Sequence, residues 1–202
     1  MKSKLVAGVT VQVEVIGITP LSFGKHHEEP HLSNEKDSAY EVRTYREKLH
    51  VNEVGEIYVP DMMFKKSLDA ACRHKGERIP GRRNATYTGK FESGCIPSGN
   101  FALTVNGQPI LKKDVGMEQL FVPSDGVAGS GKRVTKCFPC ITEWEASGEF
   151  IILDNIIDED VFRMMVKHAG TFIGLGRWRP QNAGLYGRFA VKSITWKKGG
   201  GH

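Results

Sequence analysis

The stretch Gly174–Phe189 constrains the fold of this chain more than any other, because it separates the last predicted helix from the last predicted strand. Its sixteen residues include four glycines, three arginines, Trp178 and Tyr186, and no acid. Glycine permits a left-handed backbone and close approach to a ligand, and arginine offers a planar fork that suits phosphate oxygens. Aromatic faces accept unstacked bases. We interpret the stretch as a cradle for a nucleic-acid backbone; the alternative is an ordinary surface turn.

Within this loop the side chains divide by chemistry. Arginine forms charge-assisted hydrogen bonds to phosphate, and an exposed ring can stack on a base. Trp178 can equally well pack beneath the loop. The candidate nucleic-acid-binding residues here, which the resemblance described below assigns to RNA, are Gly174, Gly176, Arg177, Trp178, Arg179, Tyr186 and Arg188.

The charge distribution supports a polyanionic partner. The net charge is +5, yet residues 1–160 carry 20 basic and 23 acidic groups. The segment after Asp160 has eight Lys or Arg residues and no acid. A membrane surface is a weaker fit, because no basic amphipathic helix accompanies this charge. No apolar run is long enough to span a bilayer, and the N-terminus alternates like a strand, so we predict a cytoplasmic protein.

The cysteines predict neither a metal site nor a cofactor. Cys137 and Cys140 form a C-x-x-C pair, but no second pair completes a zinc site at the usual spacing. The residues around the pair are typical of a strand, whereas a thioredoxin-like motif opens a helix. We therefore expect reduced, packed thiols.

The order of elements predicts an α+β fold. Strands are expected over 5–17, 101–105, 117–122, 134–145, 148–154 and 189–196, with 134–154 forming a hairpin. Helices are expected over 41–49, 61–75 and 158–169, the last ending at Gly170. This is a ferredoxin-like, or RRM-like, antiparallel sheet with helices on one face. We predict one domain over 1–198, a projecting basic insertion over 76–100, and a flexible tail over 199–202.

Four segments together resemble the RAMP superfamily of CRISPR-associated RNA-binding proteins, above all its backbone subunits: Val15–Ser22, Tyr58–Leu68, residues 76–95 and Gly174–Phe189. The resemblance implies a protein that holds guide or single-stranded RNA by its backbone. It also implies a homo-oligomer or a multi-subunit ribonucleoprotein, with the first long helix beside the RNA and the insertion acting as a thumb. The residues implicated in this way are Lys65, Lys66, Arg73, Arg82, Arg83, Tyr87 and Lys90.

Two further segments leave alternatives open. Gly126–Arg133 nearly matches a phosphate-binding P-loop, but Arg133 replaces the required hydroxyl and a strand follows, so Lys132 and Arg133 are candidates for contacting an RNA backbone instead. His26 and His27 could act as a general acid or base in a metal-independent RAMP endoribonuclease. Asp37 is a weaker candidate for RNA cleavage, and a solvated linker is the plainer interpretation of this region. A phage single-stranded nucleic-acid-binding or decoy protein is a third alternative.

Overall fold

The computed structural model describes residues 8–124 and 131–197. Its strands are β1 (Val9–Gly17), β2 (Leu21–Ser22), β3 (Tyr58–Val59), β4 (Cys95–Pro97), β5 (Phe101–Val105), β6 (Gln108–Pro109), β7 (Gly116–Pro123), β8 (Arg133–Ile141), β9 (Glu145–Ile152) and β10 (Phe189–Lys197). Its α-helices are α1 (Asp37–Thr44), α2 (Asp61–Lys75), α3 (Thr88–Gly94) and α4 (Glu159–His168). No helix of the described ranges is both long and apolar enough to cross a membrane.

The main sheet has the ferredoxin-like strand order. Its neighbours run β10-β1-β9-β5-β3, with β4 also paired to β9 and β6 to β5. All pairs are antiparallel, and Val13 of β1 lies between Gly148 of β9 and Ile194 of β10. With α2 after β1 and α4 after β9, this is the β-α-β-β-α-β topology. The predicted α+β fold is confirmed.

The core lies between one face of this sheet and the two long helices. Alternate residues of β1 point inward, as the period of a strand requires, and Val11, Val13 and Val15 are fully buried. The ring of Phe150 on β9 lies 5.7 Å from Phe64 of α2 and 5.7 Å from Phe162 of α4. Both helices therefore cover the same face, as predicted.

Two helix predictions need correction at their ends. The last helix does not stop at Gly170 but continues as a π-helical turn, Ala169–Ile173, and Gly170 is buried within it. The predicted helix over 41–49 is instead α1, which starts at Asp37, followed by a 3₁₀ turn, Tyr45–Lys48. An acid in the first turn favours this earlier start.

The predicted hairpin over 134–154 is wrong. β8 pairs with β2 and β7 in a second, three-stranded sheet, whereas β9 pairs with β1 in the main sheet. The chain changes sheets at Trp144, which is 2 % exposed and donates from its indole nitrogen to the Thr19 carbonyl at 2.9 Å. The buried ring thus fixes a corner where the sequence predicts a turn between paired strands.

The segment 76–100 folds back on the domain. Ile79, Tyr87, Phe91 and Cys95 are buried, because α3 packs beside α2 and β4 joins the main sheet. The turn over 80–85 is a continuous exposed run within this segment. The larger excursion between the strands of the ferredoxin core is the β7–β8 hairpin of the second sheet.

Some predictions fall outside the described residues. These are the flexible tail over 199–202 and most of the P-loop-like segment, of which only Gly131, Lys132 and Arg133 are described. The four cysteines are free, and Cys137 and Cys140 lie on strand β8 as expected. Burial raises the pKa of the Cys72 thiol to about 12, which keeps it protonated and unreactive at neutral pH.

Candidate nucleic-acid interface

The loop 174–188 is tied by its backbone to itself and to the chain after β1. Leu175 donates to the Gly187 carbonyl at 2.9 Å, and Tyr186 donates to the Trp178 carbonyl at 3.0 Å. Arg177 N donates to Ser22 O at 2.7 Å, and Gly187 N donates to Pro20 O at 2.8 Å. This loop, called the glycine loop below, is therefore a fixed structure at the junction of the two sheets.

The glycines of the loop allow the chain to approach itself. A Cβ on Gly184 would lie 1.8 Å from the Trp178 carbonyl oxygen, and a Cβ on Gly176 would lie 2.4 Å from Ser22 O. Gly174 and Gly176 have φ of 76° and 71° and are buried. The structure thus gives Gly174 and Gly176 a role in shaping the loop, and their direct approach to a ligand stays a prediction.

Arg177 is the most unusual side chain of the loop. Its guanidinium carbon lies 3.4 Å from the centroid of the Phe138 ring and 4.2 Å from that of Trp178. Its Nη1 is buried and has no hydrogen-bond partner among the described residues. Burial lowers the pKa of Arg177, an effect that Glu118 and Tyr186 partly oppose. An arginine remains charged at neutral pH even so, which leaves a cation between two rings with an unused donor.

This guanidinium borders a cleft of about 410 Å³. The cleft joins the loop after β2, the start of α2, strand β8 and the glycine loop; its lining includes Phe23, Lys25, His50, Met63, Phe138 and Arg177. Lys25 is exposed, whereas burial, and to a lesser degree the charge of Lys25, lowers the pKa of His50. The cleft therefore offers two permanent cations and a neutral imidazole, a set suited to an anionic backbone.

Sequence reasoning missed most of the residues that line this cleft. Phe138 is the middle of the C-x-x-C segment, whose interest seemed to lie in its thiols. Lys25 precedes the histidine-rich loop, and neither residue has a sequence pattern of its own. Since the cleft is built from five separate parts of the chain, only their tertiary contact reveals it.

The other side chains of the glycine loop have different surroundings. Trp178 is 39 % exposed and lies 6.2 Å from the Tyr186 ring, so its face is partly available. The Tyr186 hydroxyl donates to the carboxylate of Glu118 on β7, and this bond, together with burial, raises the pKa of Tyr186 to about 12. Arg188 donates to the Thr171 carbonyl. Arg179 is half-buried, and its Nε donates to Gln181 Oε1 at 3.2 Å.

Of the α2 candidates, Lys65 does not lie on the surface. It is 6 % exposed, pairs with Asp69, and donates to the carbonyls of Phe91 and Glu92 at 3.1 and 3.2 Å. Its ammonium group thus joins α2 to α3, and we remove it from the candidate interface. Lys66 is exposed, and Arg73 is exposed but 2.6 Å from the Glu92 carboxylate.

The predicted thumb residues are separated by the fold. Arg82 and Arg83 are exposed in the turn near 80–85, whereas Tyr87 is buried and Lys90 lies 2.9 Å from Asp154. They do not form one projecting basic surface.

Lys132 and Arg133 lie elsewhere, at the far end of the β7–β8 hairpin, and both are exposed. Arg133 donates to the Phe121 carbonyl at 2.8 Å.

The histidine loop packs against α1. The His31 ring stacks on Tyr40 at 3.8 Å, and the His27 ring lies 6.1 Å from Tyr40. His26 is exposed, as is Asp37 at the start of α1. Within 8–124 and 131–197, no group of three or more His, Cys, Asp or Glu side chains is placed to hold a metal ion.

The excess of positive charge in the C-terminal segment is partly neutralised in three dimensions. Lys192 and Lys197 of β10 each lie 2.7 Å from a carboxylate of β9, those of Glu145 and Glu149. Arg163 lies 2.9 Å from Glu159. The arginines of the glycine loop form no ion pairs of this kind within the described ranges, so the unpaired charge is concentrated around the loop.

Comparison by sequence gives no relative: no protein-family model matches the chain, and no curated protein matches it significantly.

Solved structures do match. A chain in the cryo-EM structure of the type III-B Cmr-beta bound to cognate target RNA has a TM-score of 0.54 at 12% identity, covering 94% of this chain and 61% of that one. Cmr6 from Pyrococcus furiosus has a TM-score of 0.47 at 13% identity, covering 90% and 97%. A chain of a CRISPR RNA-guided surveillance complex has a TM-score of 0.38 at 14% identity, covering 92% and 67%.

The first of these likenesses establishes the fold, and this chain spans about three fifths of the length of the Cmr-beta chain that it matches. This likeness agrees with the α+β fold that the sequence predicts.

Proposed function

We propose that this chain is a CRISPR-associated RNA-binding protein of the RAMP type, which holds guide or single-stranded RNA by its backbone in the cleft beside Arg177. We further propose that it acts within a multi-subunit ribonucleoprotein, as a repeated backbone subunit. The observation that carries the proposal is the guanidinium of Arg177, held between Phe138 and Trp178 with its Nη1 unpartnered among the described residues.

The chemistry of the cleft supports a phosphate ligand. A guanidinium fixed by two rings is pre-oriented, so it loses little side-chain freedom when it binds an oxyanion. Lys25 adds a second charge to the lining of the cleft, and Trp178 presents a partly exposed ring for a base. These contacts recognise phosphate charge and the face of a base, which all nucleotides share, so we expect binding with weak sequence preference.

The outer face of the main sheet is a poorer candidate for the RNA surface, although RNA-recognition modules use such a face for stacking. Gln12, Glu14 and Glu149 lie on this side of β1 and β9, opposite the buried valines. Lys197 pairs with Glu149, but Glu14 still places a negative charge on this face. Such a charge repels a phosphate backbone, which favours the cleft over the sheet.

The fold comparison supports an RNA ligand by analogy, since the Cmr-beta chain of the same fold comes from a structure bound to target RNA.

Site-directed charge reversal tests the proposal directly. Lys25→Glu places an acid in the cleft, and Lys113→Glu reverses an equally exposed lysine in a 3₁₀ turn away from the cleft lining.

Fluorescence anisotropy with a labelled single-stranded RNA, repeated over a range of salt concentrations, measures the effect. We expect Lys25→Glu to weaken binding at least tenfold and to reduce the salt dependence of the affinity, because fewer counterions are released. Lys113→Glu should stay close to the wild type. Equal losses in the two variants would show a diffuse charge effect and would contradict a binding site in the cleft.

A further inference from the structure

The C-terminal ends of α2 and α4 lie side by side and leave a second groove, of about 420 Å³, away from the Arg177 cleft. Its lining includes Lys75, Asp160, Arg163, Lys167, His168 and Phe172. The exposed Phe172 lies in the π-helical turn that follows α4, immediately before the glycine loop. None of these groups has a part in the cleft described above.

Three aromatic rings meet beside this groove. His74 Nδ1 lies 2.8 Å from His168 Nε2, so one ring donates a hydrogen to the other and at least one is neutral. The Phe172 ring lies 4.6 Å from that of His168, and 5.6 Å from that of His74 at an interplanar angle of 24°. The histidine pair therefore fixes a platform on which Phe172 rests.

Phe172 is 49 % exposed although it touches this platform. Burial, reinforced by the charges of His74 and Lys75, lowers the pKa of His168, which keeps its ring neutral at physiological pH. The exposed ring of Phe172 thus faces solvent beside the groove, supported by two tilted imidazole rings.

Three cations line the groove around these rings. Lys75 lies 3.3 Å from Glu77 and Arg163 lies 2.9 Å from Glu159, in pairs that are partly open to solvent and can exchange their acidic partner for another anion. Lys167 makes no ion pair within the described ranges, and Asp160 is the one acid among the lining residues named above. Exposed rings flanked by cations are the combination that binds single-stranded nucleic acid, the rings by stacking and the cations by phosphate contact.

The groove also adjoins the glycine loop. Arg188, at the end of that loop, donates to the carbonyl of Thr171, which lines the groove. A bound strand that runs along the glycine loop and passes Arg188 would therefore reach Phe172 next. This continuity favours an extended polyanion with bases over an acidic peptide, which would have no use for a stacking platform.

We propose that the groove between the ends of α2 and α4 is a second contact site for single-stranded RNA. A base stacks on Phe172, and the phosphates beside it contact Lys167, Lys75 and Arg163. The inference rests on the proposed function, because it extends the path of the same RNA beyond the Arg177 cleft.

Two RNA lengths separate this site from the first. An oligonucleotide of about 4 nucleotides can occupy one contact site, whereas one of about 16 can reach both. The variants are Phe172→Leu, which keeps the apolar volume without the ring, and Lys167→Glu; Phe172→Trp and Lys113→Glu are the matched controls. Circular dichroism checks that each variant is folded, which we expect since Phe172 and Lys167 are both exposed.

We expect Phe172→Leu and Lys167→Glu each to lower the affinity for the longer RNA about five- to tenfold and to leave the affinity for the shorter RNA unchanged. The affinities of Phe172→Trp and Lys113→Glu should stay close to that of the wild type. Unchanged affinity of both variants for the longer RNA would overturn the second site. If Lys25→Glu lowers the RNA affinity in the same assay, the proposed function still stands. Tighter binding of a polyglutamate peptide than of RNA, lost in Phe172→Leu, would also overturn it. A wild-type protein that binds neither RNA would overturn both proposals.

Discussion

Tyr186 donates a hydrogen bond from its hydroxyl to the carboxylate of Glu118, and this contact joins the glycine loop to the β7–β8 hairpin. The second oxygen, Glu118 Oε2, is buried without a partner among the described residues. The glycine loop contains no acidic residue of its own, and Glu118, an acid from another part of the chain, holds it in place.

Removing this hydroxyl is expected to destabilise the protein. Tyr186→Phe leaves the Glu118 carboxylate short of its donor, at a cost of about 1 to 2 kcal/mol in the free energy of unfolding. Urea denaturation followed by tryptophan fluorescence measures the change. Tyr58→Phe, at a half-buried tyrosine whose hydroxyl bonds to none of the described residues, should remain within about 0.5 kcal/mol of the wild type. A Tyr186→Phe protein of unchanged stability would show that the contact contributes nothing.

A methyl group at Gly184 tests how closely the glycine loop is folded. Because the Cβ of Gly184→Ala would lie 1.8 Å from a backbone oxygen, the loop must shift, and we expect a loss of more than about 2 kcal/mol. Gly89→Ala is the control, since Gly89 lies in α3 with nothing within 4 Å of the added Cβ. It should stabilise the protein by up to about 1 kcal/mol. The melting temperature of Gly184→Ala should therefore fall below that of the wild type, and that of Gly89→Ala should rise above it.

Glu41 predicts a dependence of stability on pH. Burial opposes its ionisation, but hydrogen bonds from Lys136 at 2.5 Å, Lys48 at 2.6 Å and the Cys137 amide at 3.2 Å outweigh burial and lower its pKa. A carboxyl whose folded pKa lies below its unfolded value of 4.5 stabilises the protein fully above pH 4.5. That contribution is lost as the pH falls through the folded pKa.

Denaturant titrations between pH 3 and pH 7 measure this effect. Glu41→Gln should cost about 3 kcal/mol at pH 7, because Lys48 keeps its buried charge without a counterion, and should make stability less dependent on pH below 4.5. Glu53→Gln, at an exposed carboxyl, should leave the pH profile as it is. Parallel profiles for the wild type and Glu41→Gln would contradict the assignment.

Arg177→Lys separates charge from shape in the Arg177 cleft. An ammonium keeps the positive charge but cannot lie flat between Phe138 and Trp178, so it loses the fixed orientation of the guanidinium. We expect RNA affinity to fall at least fivefold while the salt dependence stays nearly the same, in contrast to Lys25→Glu. Anisotropy titrations at several salt concentrations distinguish the two patterns. If Arg177→Lys binds RNA as tightly as the wild type, charge alone matters at this position.

The sequence predicts those parts of the fold that have a local pattern. The alternation in β1, the apolar face of α2 and the position of the glycine loop are all visible in the order of residues. Lys65 was misassigned because its partners, Asp69 and the Phe91 carbonyl, include a group 26 residues away. The hairpin over 134–154 was misassigned because β8 pairs with the preceding strand β7, while β9 pairs with β1, which lies more than a hundred residues earlier. Tertiary contacts decide both cases, and periodicity carries no information about them.

The central strand β1 has a consequence for how the chain folds. Thr10 pairs with Ile151 on one side and with Lys197 on the other, so the first strand can form its two pairings only after these distant residues have been synthesised. Contacts of such long sequence separation must overcome a large loss of chain entropy before they stabilise anything. The nascent protein therefore cannot complete its sheet on the ribosome until the last strand has left the exit tunnel, and a chain that stops before Phe189 lacks an edge of its core.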